Sequence, residues 1–222
     1  MKWNDNRTRR LAAAVVAVCC MLIVSTLSAQ SKKSAQQTAN LEKSGEACKA
    51  AVQDALNSLD KLLAGYNAII KGEAANPQSA YKKLVGDLNN TGKKIDTVKK
   101  EAAALDKEAA KFFKAWEQDL ASISSDSLRE KSATRMEASK QRYASLGETL
   151  AKVSQEFAPV VQNLNDQILF LGRDLSPEAV ADLQDEAEQL NLQAQEMTAR
   201  VKELLQAEAK TQAEAATEPE GD

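Results

Sequence analysis

The chain has 222 residues, 29 Lys and Arg against 32 Asp and Glu, three cysteines and no histidine. A net charge of −3 disfavours broad nucleic-acid binding, which needs positive charge to displace counterions. The missing histidine removes the commonest general base, the His-dependent nucleophile triads and the Glu-x-x-His di-iron motif.

The first ten residues carry Lys2, Arg7, Arg9 and Arg10 against Asp5 alone. Leu11 to Leu27 is then uncharged and mostly apolar, and Ser28, Ala29 and Gln30 follow. A basic start, an apolar run and a small-residue exit read as a secretory signal peptide over 1–29. Cleavage after Ala29, with Ser28 as the neighbouring alternative, is favoured over an uncleaved N-terminal anchor, because a run of 17 residues sits at the lower edge of a bilayer span. The expected location is therefore the periplasm or the exterior. Cys19 and Cys20 lie inside the apolar run, and Val18 before Cys19 is a poor lipidation context. Removal of 1–29 leaves 25 basic against 31 acidic residues. Only Cys48 then remains, so no internal disulfide is expected; it reads as a small buried hydrophobe, with pairing to a second copy as the sharper reading.

Residues 30–44 form a polar N-terminal segment, and 45–206 the helical domain. The first helix runs from about Ser34 to Ile70, its start polar as far as Asn40, with a seam at Val52, Leu56, Leu59, Leu63, Tyr66 and Ile70. Apolar residues three and four apart keep one seam facing a partner helix, the pattern of coiled-coil packing. The break about Gly72 leads to Asn76, a natural N-cap, and Pro77, which suits a first helical position.

The second helix runs to about Ile123. Its seam passes through Leu84, Leu88, Ile95, Val98, Leu105, Ala109, Phe112 and Trp116, and lapses at Thr91-Gly92. After a break at 124–127, Ser127 and Glu130 have capping-box spacing. The third helix carries Tyr143, Leu146, Leu150, Val153, Phe157, Val160 and Leu164, with Pro159 expected to kink it. A third break at Gly172 precedes Ser176-Pro177-Glu178, a cap, a first-turn proline and a first-turn acid. The fourth helix carries Val180, Leu183, Ala187, Leu190, Ala194, Met197, Val201 and Leu204. The last stretch, 207–222, reads as an acidic disordered tail.

Helices of about 45 residues are several times the average of about 12, and short breaks make neighbours antiparallel. The fold expected is all-α: an elongated antiparallel four-helix bundle built of coiled-coil hairpins. Folding back about residue 174 sets Leu164 near Leu183 and Phe157 near Leu190.

Carboxylates Asp182, Asp185, Glu186 and Glu188 read as a solvated face, not a metal site. Lys82, Lys83, Lys93, Lys94, Lys99 and Lys100 read the same way, with anionic lipid or cell-wall polymer as the alternative partner. Phe112, Phe113 and Trp116 are the one aromatic cluster, with Phe112 and Trp116 on the seam and Phe113 widening it; they read as core packing, with a partner or lipid-like ligand region as the alternative. No cofactor or metal is expected.

Trp116-Glu117 with Leu120, Ser127-Leu128-Arg129, Arg142-Tyr143 with Leu146, Pro159-Val160, and Leu164, Asp166, Ile168, Leu169 and Leu171 occur in an order that resembles the bacterial family known as domain of unknown function 2959. The resemblance covers about 45–205 and implies an exported, helical, coiled-coil-like protein. In that family the turn after the leucine-rich segment usually reads Lys-His-Asn-Leu-Asn; here it is Gly172-Arg173-Asp174-Leu175-Ser176, so a role resting on that histidine does not carry over. Arg173 and Asp174 join the candidate region on this ground. The function expected is non-enzymatic: a periplasmic structural, adaptor or envelope-associated factor acting through helix–helix contacts with an envelope protein or a second copy. The alternative is a holdase chaperone or a carrier of lipid-like ligands, with peripheral lipid contact as a further partner class.

Overall fold

The structure is a computed structural model, and it describes residues 32–217, with side chains for 35–211. The expected signal peptide lies outside the described residues. The chain is all-α, with no strand among the described residues. Five helices pack against one another: α1 Lys32–Ile70, α2 Pro77–Ala121, α3 Asp126–Leu171, α4 Pro177–Ala181 and α5 Gln184–Thr217.

The breaks fall where local chemistry puts them. Gly72 adopts φ +67, a left-handed conformation that a side chain disfavours, and Glu73 N–H donates to Ala68 O while Gly72 N–H donates to Ile69 O. This pair of bonds is a Schellman closure of α1. Asn76 Oδ1 accepts from Ser79 N–H at 2.9 Å and Pro77 begins α2, as the sequence predicts. At the start of α3 the capping residue is Ser125, whose Oγ accepts from Leu128 N–H at 3.5 Å and whose carbonyl takes Arg129 N–H. The helix begins at Asp126, and its cap lies two residues before Ser127, the cap of the expected Ser127–Glu130 box. Ser176 caps α4, accepting from Ala179 N–H at 3.2 Å.

The predicted fourth helix is divided. The turn-long α4 and a break at 182–183 precede α5, so the hairpin between α3 and α5 needs more chain than expected. Its cross-helix pairs are Asn163 with Gln193 and Glu156 with Arg200, both centred on position 178 instead of 174. α5 is helical to Thr217, past residue 207 where the tail is expected to begin; 218–222 lie outside the described residues. Pro159 lies on the exposed side of α3, which is continuous through it. Gln155, whose carbonyl loses its helical donor to the proline, is likewise an exposed residue.

The helices contribute to two compact units. One holds 50–99 and 152–201 and has the denser core. Its α1 stripe is Val52, Ala55, Leu59, Leu62, Tyr66 and Ile69, so Ala55 and Leu62 take the inward positions expected for Leu56 and Leu63, which are half-buried. Phe157, Leu164 and Val153 of α3 and Leu190, Met197 and Val201 of α5 are essentially inaccessible. At ~25 cal/mol per Å² of apolar surface, each such side chain contributes about 1.5–3 kcal/mol of transfer free energy. The other unit holds 32–49, 100–151 and 202–217 of the described chain. Its buried apolar residues include Leu41, Cys48, Leu105, Phe113, Met136 and Leu150. Cys48 is buried on the inner side of α1.

Candidate functional site

Polar side chains interrupt the core of the first unit at three levels. Thr91, where the stripe of α2 lapses, is fully buried; its hydroxyl and that of Ser58 lie 2.9 Å apart, and Asn90 Nδ2 donates to Ser58 Oγ at 3.2 Å. One level further, Asn67 and Asn191 exchange two amide bonds of 2.9 Å. Tyr66 Oη donates to Gln167 Oε1, and Gln167 Nε2 donates to Asn163 Oδ1 at 2.9 Å, with Asn163 Nδ2 passing a 3.2 Å bond to Gln193. Burial, followed by the nearby charge of Glu186, raises the Tyr66 phenol well above its ordinary value and keeps it protonated. No buried side-chain polar atom among the described residues lacks a partner. Polar residues on a packed seam fix register, because a slipped alignment would bury them unpaired.

In the second unit α2 and α3 are held at one level by Lys140 Nζ donating to Glu117 Oε1 at 2.7 Å, and at another by Trp116 Nε1–H donating to Ser132 Oγ at 3.0 Å. The Glu117 hydrogen bond, above all, raises Lys140 and keeps it cationic. Between these helices, where Ala109, Ala110 and Ala144 are too small to fill the space, lies a solvent-open groove of about 530 Å³. Leu105, Phe113 and Tyr143 form its apolar floor; Asp106, Lys114, Glu117 and Lys140 rim it.

Phe112, Phe113 and Trp116 come together as expected, in edge-to-face contacts of 5.4 Å (Phe112–Phe113) and 5.7 Å (Phe112–Trp116). Their roles are exchanged, however. Phe113 is the buried residue, edge-on to Tyr143 at 5.8 Å, whereas Phe112 and Trp116 are half-buried. Arg173 and Asp174 belong to the other unit and do not join the cluster. Asp174 works as a turn residue: its Oδ1 accepts from Ser176 N–H at 2.8 Å and its Oδ2 from the Ser176 hydroxyl at 3.0 Å. Arg173 is exposed. In this turn Gly172 lets the Tyr81 hydroxyl approach the backbone, into space a β-carbon would occupy.

Two features escape a reading for apolar periodicity. One is the polar ladder above. The other is Glu208, nearly inaccessible, whose carboxylate accepts from Ser145 Oγ at 2.8 Å and Thr149 Oγ1 at 3.1 Å. Their signal in the sequence is positional: Thr91 and Glu208 both fall where the three-four stripe requires an inward residue, seven before Val98 and seven after Val201.

Among the described residues no group of three or more Cys, Asp or Glu side chains could hold a metal ion. No helix there is long and apolar enough to cross a membrane. What the arrangement can do is bind: a groove with an aromatic floor and charged rim accepts an apolar chain or side chain.

The model of a family described as protein of unknown function (DUF2959) matches residues 29–215, most of the chain, which therefore belongs to that family. No curated protein and no solved structure matches it.

Proposed function

We propose that this member of the family is a non-enzymatic, exported coiled-coil protein of the periplasm, acting as a structural or adaptor factor through helix–helix contacts in the cell envelope. The observation that carries the reading is how its apolar stripe is spent. Most of the stripe is buried by the chain's own helices, while Leu169, Phe170 and Leu192 of the unit with the denser core stay 46–60% exposed. Exposed large side chains beside a well-filled core are candidate contacts for another protein. An antiparallel four-helix bundle, joined by the short breaks at Gly72, Ser124 and Gly172, is the architecture proposed for these contacts. The basic start and apolar run before Gln30 support export, with a cleaved signal peptide. The histidine-free composition supports a role without acid–base chemistry near neutral pH.

Fractionation tests the reading. The tagged chain is expected in the osmotic-shock or envelope fraction, shortened by about 29 residues as the signal boundary implies, and co-purifying with an envelope protein after mild crosslinking. Recovery at full length in the cytosol contradicts it.

The groove floored by Phe113 and Tyr143 favours one second reading, a carrier of lipid-like ligands or a holdase chaperone. Mass spectrometry of organic extracts from protein purified from its own cells distinguishes the carrier version. A stoichiometric lipid supports it; an empty extract, with no change in Trp116 fluorescence on adding lipid, rules it out.

A further inference from the structure

The outward face of α2 in the groove-bearing unit has an unusual charge arrangement. Lys100, Lys107 and Lys114 lie seven residues apart, so they line up along one side of a straight helix. At 1.5 Å per residue the spacing is about 10 Å and the row spans about 21 Å. All three are exposed. Of the positions three and four residues away, where a helix normally places a partner acid, six hold none: Thr97, Ala103, Ala104, Ala110, Lys111 and Gln118. The two acids within that reach are already engaged: Asp96 with Lys99 at 3.5 Å, and Glu117 with Lys140 at 2.7 Å. Lys111, beside the row, is tied to Glu108 at 2.6 Å. None of the three row lysines makes an ion pair among the described residues, although the lysines flanking them do.

A net-negative chain has acids to spare for neutralising lysines, and beside the row it pairs Lys99 and Lys111. Toward the start of the helix Lys94 is paired as well, whereas Lys82, Lys83 and Lys93, like the row, make no ion pair among the described residues. The row itself stays open, separated by alanines that let a flat surface approach all three ammonium groups at once. Lys114 borders the groove, but Lys100 and Lys107 stand outside it, so the row as a whole has no walls to grip a flexible polymer. We propose that this lysine row is a docking face for an anionic lipid bilayer, holding the protein peripherally against phosphate headgroups. The inference goes beyond the protein-contact reading above and stands without it. The interaction is electrostatic, individually weak and additive, with each lysine near an anionic surface worth about a fivefold change in partition.

The test uses the full chain floated with vesicles of phosphatidylcholine, alone or mixed with phosphatidylglycerol, and reads the ratio of the two. We expect a preference for the phosphatidylglycerol vesicles that falls about fivefold for each of Lys100→Gln, Lys107→Gln and Lys114→Gln, about a hundredfold for all three, and that fades as salt is raised. A control triple, Lys71→Gln, Lys131→Gln and Lys152→Gln, removes the same charge off the row and is expected to keep the ratio within about twofold. Circular dichroism checks that both triples stay equally helical; if the row triple does not, the single Lys107→Gln carries the comparison. No vesicle preference overturns the proposal, as does an equal loss in both triples, which makes net charge the sole cause. A row triple that loses binding to soluble polyphosphate but keeps its vesicle preference also overturns it, assigning the row to a soluble polyanion.

Discussion

Replacing Tyr66 with Phe deletes one oxygen from a deeply enclosed polar contact and leaves the ring in place. Tyr66 is 0% exposed and Gln167 6%, so water cannot readily replace the lost donor. The Gln167 carbonyl oxygen is then buried without its partner. A net hydrogen bond contributes about 0.5–1.5 kcal/mol, and an orphaned buried acceptor costs about 1–3 kcal/mol, so Tyr66→Phe is expected to destabilise by about 2 kcal/mol. Gln167→Met leaves the Tyr66 hydroxyl orphaned and also breaks the bond to Asn163, costing about 2–3 kcal/mol. In the double variant neither group is left waiting for the other, so the losses overlap, with a coupling energy of about 1–2 kcal/mol. Urea unfolding followed by far-UV circular dichroism measures all four corners of the cycle. Additivity within about 0.5 kcal/mol would refute the reasoning, because two residues that do not depend on each other are not a register-setting pair.

Other perturbations follow from the same geometry. The Tyr66 phenol is raised in the folded chain, so the native state keeps it protonated at a pH where the unfolded chain, with an ordinary tyrosine near 10, releases its proton. Its contribution is full below about pH 10 and is lost as pH rises beyond it. Alkaline unfolding is therefore expected to coincide with a step in tyrosinate absorbance at 295 nm, the Tyr66→Phe variant showing a shallower pH dependence. Gly92→Ala is expected to stabilise by up to about 1 kcal/mol, since the glycine is mid-helix and an added β-carbon meets nothing within 4 Å. Gly172→Ala is expected to lower the melting temperature because its β-carbon collides with the Tyr81 hydroxyl; in a Tyr81→Ala background the same change should cost little. Phe157→Ala is expected to cost about 3–5 kcal/mol by thermal or urea unfolding, as a fully enclosed aromatic leaves a cavity.

What the sequence disclosed was local. Asn76 with Pro77, Gly72 and Ser176 act through bonds to residues within a few positions, and each stands where the pattern placed it. The long stripes of α3 and α5 were also legible, because Val153, Phe157, Val160 and Leu164, and Ala187, Leu190, Ala194, Met197 and Val201, leave one choice of inward face. Where two apolar residues compete for that face, periodicity cannot decide. Leu56 against Ala55 and Phe112 against Phe113 are settled by the room a partner helix leaves, and in both cases the other residue is the buried one. The polar ladder was hidden for a related reason: Ser58 and Thr91 are 33 positions apart and Tyr66 and Gln167 are 101 apart, so each looks like a lapse until its partner is across from it. The α3–α5 register shifted because the third break carries an extra turn of helix, α4, that cap-and-stripe reading merges with its successor.

Site-specific photo-crosslinking in living cells tests the functional account most directly. A photoreactive amino acid is placed singly at Leu169, Phe170 and Leu192, the large apolar side chains the denser unit leaves open, and at exposed Lys71 and Glu188 as controls. The account predicts one discrete protein adduct, an envelope protein or a second copy of the chain, at the apolar positions and none at the controls. Equal labelling at every position, or none at the apolar ones, contradicts it.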